Sequence, residues 1–440
     1  LSELLPTGGG QNSVEFVASG TLGSGVTVVL RSDGKVEAVN ATGGGPAAGT
    51  SVAYSSGRSI VNSAAFDSNS NKVVVAFRNI GNSNYGTAAV GTVSGTSISF
   101  GTPVVFNSGS TTYTSSTFDS LNNKVVIAYK NDGNSGYGTA IVGTVSGTSI
   151  SFGTAAVYNS SSSSWPQAAF DSNSNKVVIA YQNFANSYSG TAIVGTVSGT
   201  SISFGSPTVF GGASNNVYSI AFDSSNNKVV VTYVDNNNSA SGTAVVGTVS
   251  GTSISFGTPV VYAVTDYMSI AFDSAANKVV ISYRLTSNGY GYAIVGTVSG
   301  TSISFGTPVV FSASSVAYTS AIFDSNTGNI VISYSDGGNS NYGTSIVGTV
   351  SGTSISFGTP VVFENARADY IASTFDSVNN KVVIAYENYG NSQYGTGVVF
   401  SVQSSNNASF IGITAAAISS AATGPVNVYG GINTVQTGLT

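Results

Sequence analysis

Five aromatic residues recur at one fixed place in this sequence. Tyr113, Trp165, Tyr267, Tyr318 and Tyr370 each stand five residues before a Phe-Asp-Ser tripeptide. Tyr218 sits one position off that register, and Val61 takes the place in the first copy. Aromatic faces beside Asn, Asp and Arg side chains suit the stacking of sugar rings and hydrogen bonding to their hydroxyls. The same side chains also suit a plainer purpose, filling a channel and packing one repeat on the next. Arg58, Arg284, Arg367 and Asp369 fall close by in the repeat and join the six aromatics as candidate ligand-binding residues. A general acid/base pair would have to come from Asp266, Glu364, Asp369 or Glu387, and no pair stands out by spacing. A second aromatic series, Phe77, Tyr129, Tyr181, Tyr233, Tyr283, Tyr334 and Tyr386, is more regular and reads as packing between repeats.

Composition narrows the chemistry further. The 440 residues include 13 Lys and Arg, 18 Asp and Glu, and neither Cys nor His. Charged residues make up 7%, against roughly 25% in an ordinary globular domain. Without Cys or His there is no disulfide, thiolate nucleophile, Cys/His zinc site, His-ligated haem or Ser-His-Asp triad. No cofactor is expected. Few basic residues and a net charge of −5 argue against nucleic acid as a partner. No stretch approaches about 18 consecutive apolar residues, so no membrane-spanning helix is expected. The chain starts at Leu1 rather than Met, and we expect a processed or trimmed start.

The elements that must carry these residues are set by an internal repeat. Phe-Asp-Ser begins at Phe66, Phe118, Phe170, Phe222, Phe272, Phe323 and Phe375, and Gly-Thr-Val-Ser-Gly-Thr-Ser-Ile-Ser-Phe-Gly begins at Gly91, Gly143, Gly195, Gly247, Gly296 and Gly348. The spacing, close to 52 residues, predicts an all-β, seven-bladed β-propeller with four-stranded blades. In the second copy the strands run from Tyr113 to Phe118, Lys124 to Tyr129, Gly138 to Val145 and Ser149 to Tyr158. The β-branched second strand suits burial on both faces. The Asn/Ser-rich stretches between the fourth strand and the next first strand read as loops, and together with the end of the second strand they carry the individually placed charges of the propeller to one face. The turn after Phe-Asp-Ser keeps its Asp and, in six copies, a Lys five residues on: Lys72, Lys124, Lys176, Lys228, Lys278 and Lys381. We expect Asp to hold turn N–H groups and Lys to offset its charge. The run Asp67-Ser-Asn69-Ser-Asn71 resembles the start of a calcium loop, but the Gly and distal Glu are missing, and no metal site is expected. The sialidase turn Ser-x-Asp-x-Gly-x-x-Trp is also missing.

The seventh copy lacks a fourth strand of the expected form. Gly49-Thr-Ser-Val-Ala-Tyr54 lies 52 residues before the equivalent Gly101-Thr-Pro-Val-Val-Phe106, so residues 46–56 are expected to supply that strand and close the ring. The predicted division is 1–45, 46–402 and 403–440, the two outer pieces forming one small β module with the propeller inserted between them. Residues 11–40 read as hairpins with a turn at Ser32-Asp33-Gly34.

Ser409-Phe-Ile-Gly-Ile413 and Gly424-Pro-Val-Asn-Val-Tyr-Gly-Gly431 follow. These terminal segments resemble structural proteins of tailed bacteriophages, notably marine ones. There a Phe-Ile-Gly-Ile … Ala-Thr-Gly-x-Val-Asn-Val-x-Gly-Gly pattern recurs in fibre and decoration proteins and commonly runs past the point equivalent to Thr440. The resemblance implies a non-enzymatic protein on the virion surface, held to other virion proteins by its terminal module and assembled with copies of itself. The propeller would be displayed toward host-surface polysaccharide. A purely structural decoration protein, a bacterial surface adhesin and a sialidase-like hydrolase are the other readings.

Overall fold

The computed structural model describes residues 12–18, 22–24, 27–30, 35–38, 45–402, 410–414, 419 and 422–428. The turn expected at residues 32–34 and the end at Thr440 lie outside them. Two compact units emerge, one of Leu1–Gly45 with Gln403–Thr440 and one of Pro46–Val402. In the first, both chain ends share a five-stranded antiparallel sheet, with Asn12–Val17 beside Thr423–Val428 and Thr27–Leu30 beside Phe410–Thr414.

The larger unit is all-β apart from short 3-10 turns. Its second copy shows the construction. Lys124–Asn131 pairs on one side with Val104–Asp119 and on the other with Tyr137–Ser146, which turns into the short strand Ser149–Phe152. Val125, Val126, Ile127 and Ala128 of the second strand are fully buried. Burying each Val or Ile contributes about 1.5–3 kcal/mol, so these strands hold most of the core. The hairpin turn is closed by Gly147 at φ 60°.

The expected loop between fourth and first strands is instead strand, except at residues 210–214, which stay irregular between Thr208–Val209 and Asn215–Asp223. Val104–Asp119 runs 16 residues, its first half pairing with Tyr85–Ser94 of the copy before and its second half with Lys124–Asn131. The Asn/Ser-rich middle takes this form because its polar side chains bond locally. Asn107 Nδ2 donates to Gly109 O at 3.1 Å and to Thr111 Oγ1 at 2.8 Å, which leaves the backbone free to pair. One strand therefore serves two neighbouring sheets. The N-terminal stretch is used likewise: Ala48 faces Phe400, Val52 faces Gly397 and Arg58 faces Tyr394, while Ser59–Asp67 pairs with Lys72–Asn79.

Two contacts fix the spacing of neighbouring copies. A Cβ on Gly101 would lie 1.9 Å from Thr148 O, the hairpin turn of the next copy, so only glycine fits. Nearer the aromatics, Ser115 Oγ accepts from Ala168 N at 3.0 Å, Ser219 Oγ from Ile270 N at 3.2 Å, Ser269 Oγ from Ala321 N at 2.9 Å and Ser320 Oγ from Ser373 N at 2.9 Å.

The turn aspartates behave as expected and the lysines do not. Asp67 Oδ1 accepts from Asn69 N at 2.9 Å and Ser70 N at 3.1 Å. Among the described residues the turn lysines form no ion pair with these aspartates; the ion pairs there are Arg58–Glu387, Lys130–Asp132, Arg284–Asp266 and Arg367–Asp369. Backbone N–H groups already satisfy the carboxylate, and Lys72 faces Asp67 only as a strand neighbour.

Candidate functional site

The aromatic positions are set by a bulge in each long strand. In the second copy Thr112 faces Lys130 and Ser115 faces Ala128, which leaves Tyr113 and Thr114 opposite the single residue Tyr129. Two residues against one bend a strand and re-aim the side chains there. The first bulge residue is left-handed: Val61 (φ 49°), Tyr113 (φ 53°), Trp165 (φ 54°), Tyr267 (φ 47°), Tyr318 (φ 53°) and Tyr370 (φ 49°). The fourth copy differs. There Tyr218 alone is extra, between Val217 facing Tyr233 and Ser219 facing Thr232, and the left-handed residue is Ser214. This is the physical content of the one-position offset read in the sequence.

In three copies the second bulge residue ties its bulge to the one before. Thr114 Oγ1 donates to Val61 O at 2.5 Å, Thr319 Oγ1 donates to Tyr267 O, and Asn62 Nδ2 donates to Tyr370 O at 3.0 Å. The residue opposite each bulge belongs to the regular second aromatic series. Phe77, Tyr181 and Tyr386 in it are fully buried, and Tyr129 meets Phe106 at 5.1 Å between ring centroids. That series packs the core.

Tyr113, Trp165, Tyr218, Tyr267, Tyr318 and Tyr370 all line one cavity of about 550 Å³, within the usual range for small-molecule sites. Val61, Asn62, Arg78, Gln167 and Asp266 contribute to the same wall. Neighbouring rings touch: Tyr113–Trp165 at 4.5 Å, Trp165–Tyr218 at 5.6 Å, Tyr267–Tyr318 at 5.2 Å and Tyr318–Tyr370 at 5.0 Å. Burial raises the Tyr113 and Tyr370 phenols and pushes Tyr218 up to about 12, with Asp266 adding to the shift. They are neutral donors at neutral pH.

The charged candidates stand elsewhere. Arg58, Arg284, Arg367 and Asp369 do not line the cavity. Each is held in an ion pair. Arg284 grips Asp266 at 2.7 and 2.5 Å and lies 4.6 Å over the Tyr267 ring. Arg367 grips Asp369 at 2.7 Å and lies 4.5 Å over Tyr389. Arg58 Nε donates to the fully buried Glu387 at 2.6 Å. Glu364 accepts from Tyr386 OH and Asn388 Nδ2, both at 2.7 Å. Sequence reading puts Arg78 on this face but not among the candidate ligand-binding residues; it misses Asn62 and Gln167, on the same cavity wall. The available signal was their place beside the bulges.

The chain is similar in fold to the BP39L lectin from Burkholderia pseudomallei, with a TM-score of 0.56 and 12% identity across 79% of this chain and 97% of that one. AofleA from Arthrobotrys oligospora aligns at 10% identity over 71% of this chain and 91% of its own, TM-score 0.45. The Hadza microbial sialidase Hz136 aligns at 8% identity over 82% and 68%, TM-score 0.43. The first of these shows a shared all-β, propeller-like fold. No protein-family model and no curated protein matches the sequence.

Proposed function

We propose that this protein is a non-enzymatic saccharide-binding propeller of seven blades, the N-terminal strand completing the last. The observation that carries this is the gathering of six aromatic residues from six copies around one cavity of about 550 Å³. Half-buried rings on the cavity wall, bordered by neutral hydroxyl and amide groups, match the alternating apolar and hydroxyl faces of a sugar. The BP39L protein, described as a lectin, supports the reading at the level of fold. The terminal unit, by its resemblance to phage structural proteins, would attach the chain to other virion proteins. Host-surface polysaccharide would then be the partner of the propeller.

A glycan array tests the proposal, followed by titration of a hit against Trp165→Ala and Tyr370→Ala. Each substitution should weaken binding by about tenfold or more while the circular dichroism spectrum is kept. Unchanged affinity in both variants would refute the aromatic site. A second reading, a structural spacer, is favoured by the ring-to-ring contacts of 4.5–5.6 Å, which pack the aromatics on one another. It predicts no array hit and a loss of stability in both variants. A chromogenic glycoside screen tests the absence of turnover.

A further inference from the structure

Beside each bulge lies one cross-strand pair, and these pairs vary more than any other layer of the repeat. Ile60 faces Arg78, Thr112 faces Lys130, Ser164 faces Gln182, Asn216 faces Val234, Asp266 faces Arg284, Ala317 faces Ser335 and Asp369 faces Glu387. The charges in this layer are mostly spoken for. Lys130 meets Asp132 at 3.4 Å, Arg284 meets Asp266 at 2.5 Å, Arg367 meets Asp369 at 2.7 Å and Glu387 meets Arg58 at 2.6 Å. Arg78 differs. Its Nε donates to the neutral Asn84 Oδ1 at 3.0 Å, and among the described residues it has no carboxylate partner.

Arg78 is also the basic residue that lines the aromatic cavity, and the acidic one there, Asp266, is engaged twice by Arg284. The cavity wall therefore carries an uncompensated positive charge. It sits in the first copy, where Val61 replaces the aromatic and leaves a gap in the ring series between Tyr370 and Tyr113. A guanidinium beside an apolar notch, with stacking faces on the adjoining copies, has the donors to take a carboxylate or sulfate in a two-pronged hydrogen bond.

We propose that the cavity selects acidic saccharides, the anionic group lying on Arg78 and the sugar ring against Tyr113 and Trp165. This rests on the saccharide reading above and adds the charge of the ligand. It is tested on an array bearing uronate, sialate and sulfated glycans beside neutral ones, with hits titrated by the fluorescence of Trp165, the chain's one tryptophan. Hits should be acidic. Arg78→Gln should weaken them by about 10- to 100-fold and remove most of their salt dependence. Arg78→Lys, which keeps the charge, should retain the acidic preference at lower affinity. Uronate hits without sulfated ones, or the reverse, identify which anion the guanidinium fits. Acidic hits that survive Arg78→Gln unchanged, or hits confined to neutral glycans, overturn the charge selectivity and leave saccharide binding standing. An array with no hits overturns both.

Discussion

The ion pair between Arg58 and Glu387 joins the N-terminal long strand to the last copy, 329 residues away. Its two ends differ in exposure: the Arg58 side chain is 40% exposed and that of Glu387 is 0%. Removing one partner of a fully buried pair costs about 3–5 kcal/mol, because the other charge is stranded out of water. The asymmetry makes the two removals unequal. Arg58→Gln strands Glu387, whose Oε2 already has no partner, and should cost about 2–3 kcal/mol once the exposure of Arg58 is allowed for. Glu387→Gln leaves a guanidinium that can turn to water and should cost about 1 kcal/mol or less.

The pH dependence gives a second handle on the same pair. Burial raises the Glu387 carboxyl, Arg58 opposes this through its hydrogen bond and charge, Asp369 adds to it and Arg367 subtracts. A carboxyl raised on folding contributes stability below its unfolded value, and that contribution is lost as pH rises through the folded value. Without Arg58 the rise is larger. Arg58→Gln should therefore be most damaging at about pH 7 and recover part of its deficit by about pH 5. Urea unfolding followed by Trp165 fluorescence, with both variants at both pH values, reads the effect. Equal costs for the two substitutions, or stability curves for Arg58→Gln and the unaltered chain that run parallel in pH, would refute the reasoning.

Glycine at the hairpin contact provides an internal control. Gly101→Ala should cost about 3 kcal/mol, because a Cβ would lie 1.9 Å from Thr148 O, whereas at the equivalent Gly358 the nearest atom is Val347 O at 3.8 Å; Gly358→Ala should shift the unfolding midpoint far less, and equal shifts count against the close-contact argument. Ser115→Ala removes the acceptor of Ala168 N and should cost about 1–2 kcal/mol with faster hydrogen exchange at Ala168; an unchanged exchange rate rules the contact out. Val61→Asn relieves a β-branched residue at φ 49° and should raise stability by about 0.5–1 kcal/mol, read as a higher melting temperature; a lower one contradicts it.

Much of the larger unit was legible because repetition exposes what each position does. The anchors, the buried second strand and the offset of Tyr218 could all be read directly from the residues. The bulges could not. Left-handed backbone is signalled by Gly or Asn, and here it falls on Tyr and Trp, so residue type pointed away from it. The long strands were hidden for a related reason. Asn107, Gly109 and Thr111 are loop formers by composition, yet the Asn107 side chain donates to Thr111 Oγ1, and both side chains donate to the Gly109 carbonyl. The Ser ladder had a visible signal, a serine three residues before the anchor Phe at Ser63, Ser115, Ser219, Ser269 and Ser320. Its use needed the neighbouring copy in place. Arg58 and Arg284 looked available in sequence because their carboxylate partners, Glu387 and Asp266, lie far along the chain, and Arg367 because Asp369, two residues on, reads there as a second ligand-binding group and not as its partner.

The left-handed positions bear on whether the aromatics merely pack. The turns of the same repeats also need left-handed residues, and there the chain uses Asn71, Asn123, Asn175, Asn227, Asn277, Gly328 and Asn380. At this turn, after Phe-Asp-Ser, the low-cost residue is used in every copy, whereas the turn before the third strand also takes Tyr188, Ala240 and Gln393. At the bulges the chain instead places Tyr113, Trp165, Tyr267, Tyr318 and Tyr370, at about 1–2 kcal/mol of backbone strain each. A ring contact returns about 0.5–1.5 kcal/mol, roughly what the strain removes, so pairwise stacking alone gives little net reason to keep them. What they share beyond stacking is a place on the wall of one cavity. Strain kept where side chains meet a cavity, and avoided in the turn after Phe-Asp-Ser, supports a role for these rings in holding something other than each other.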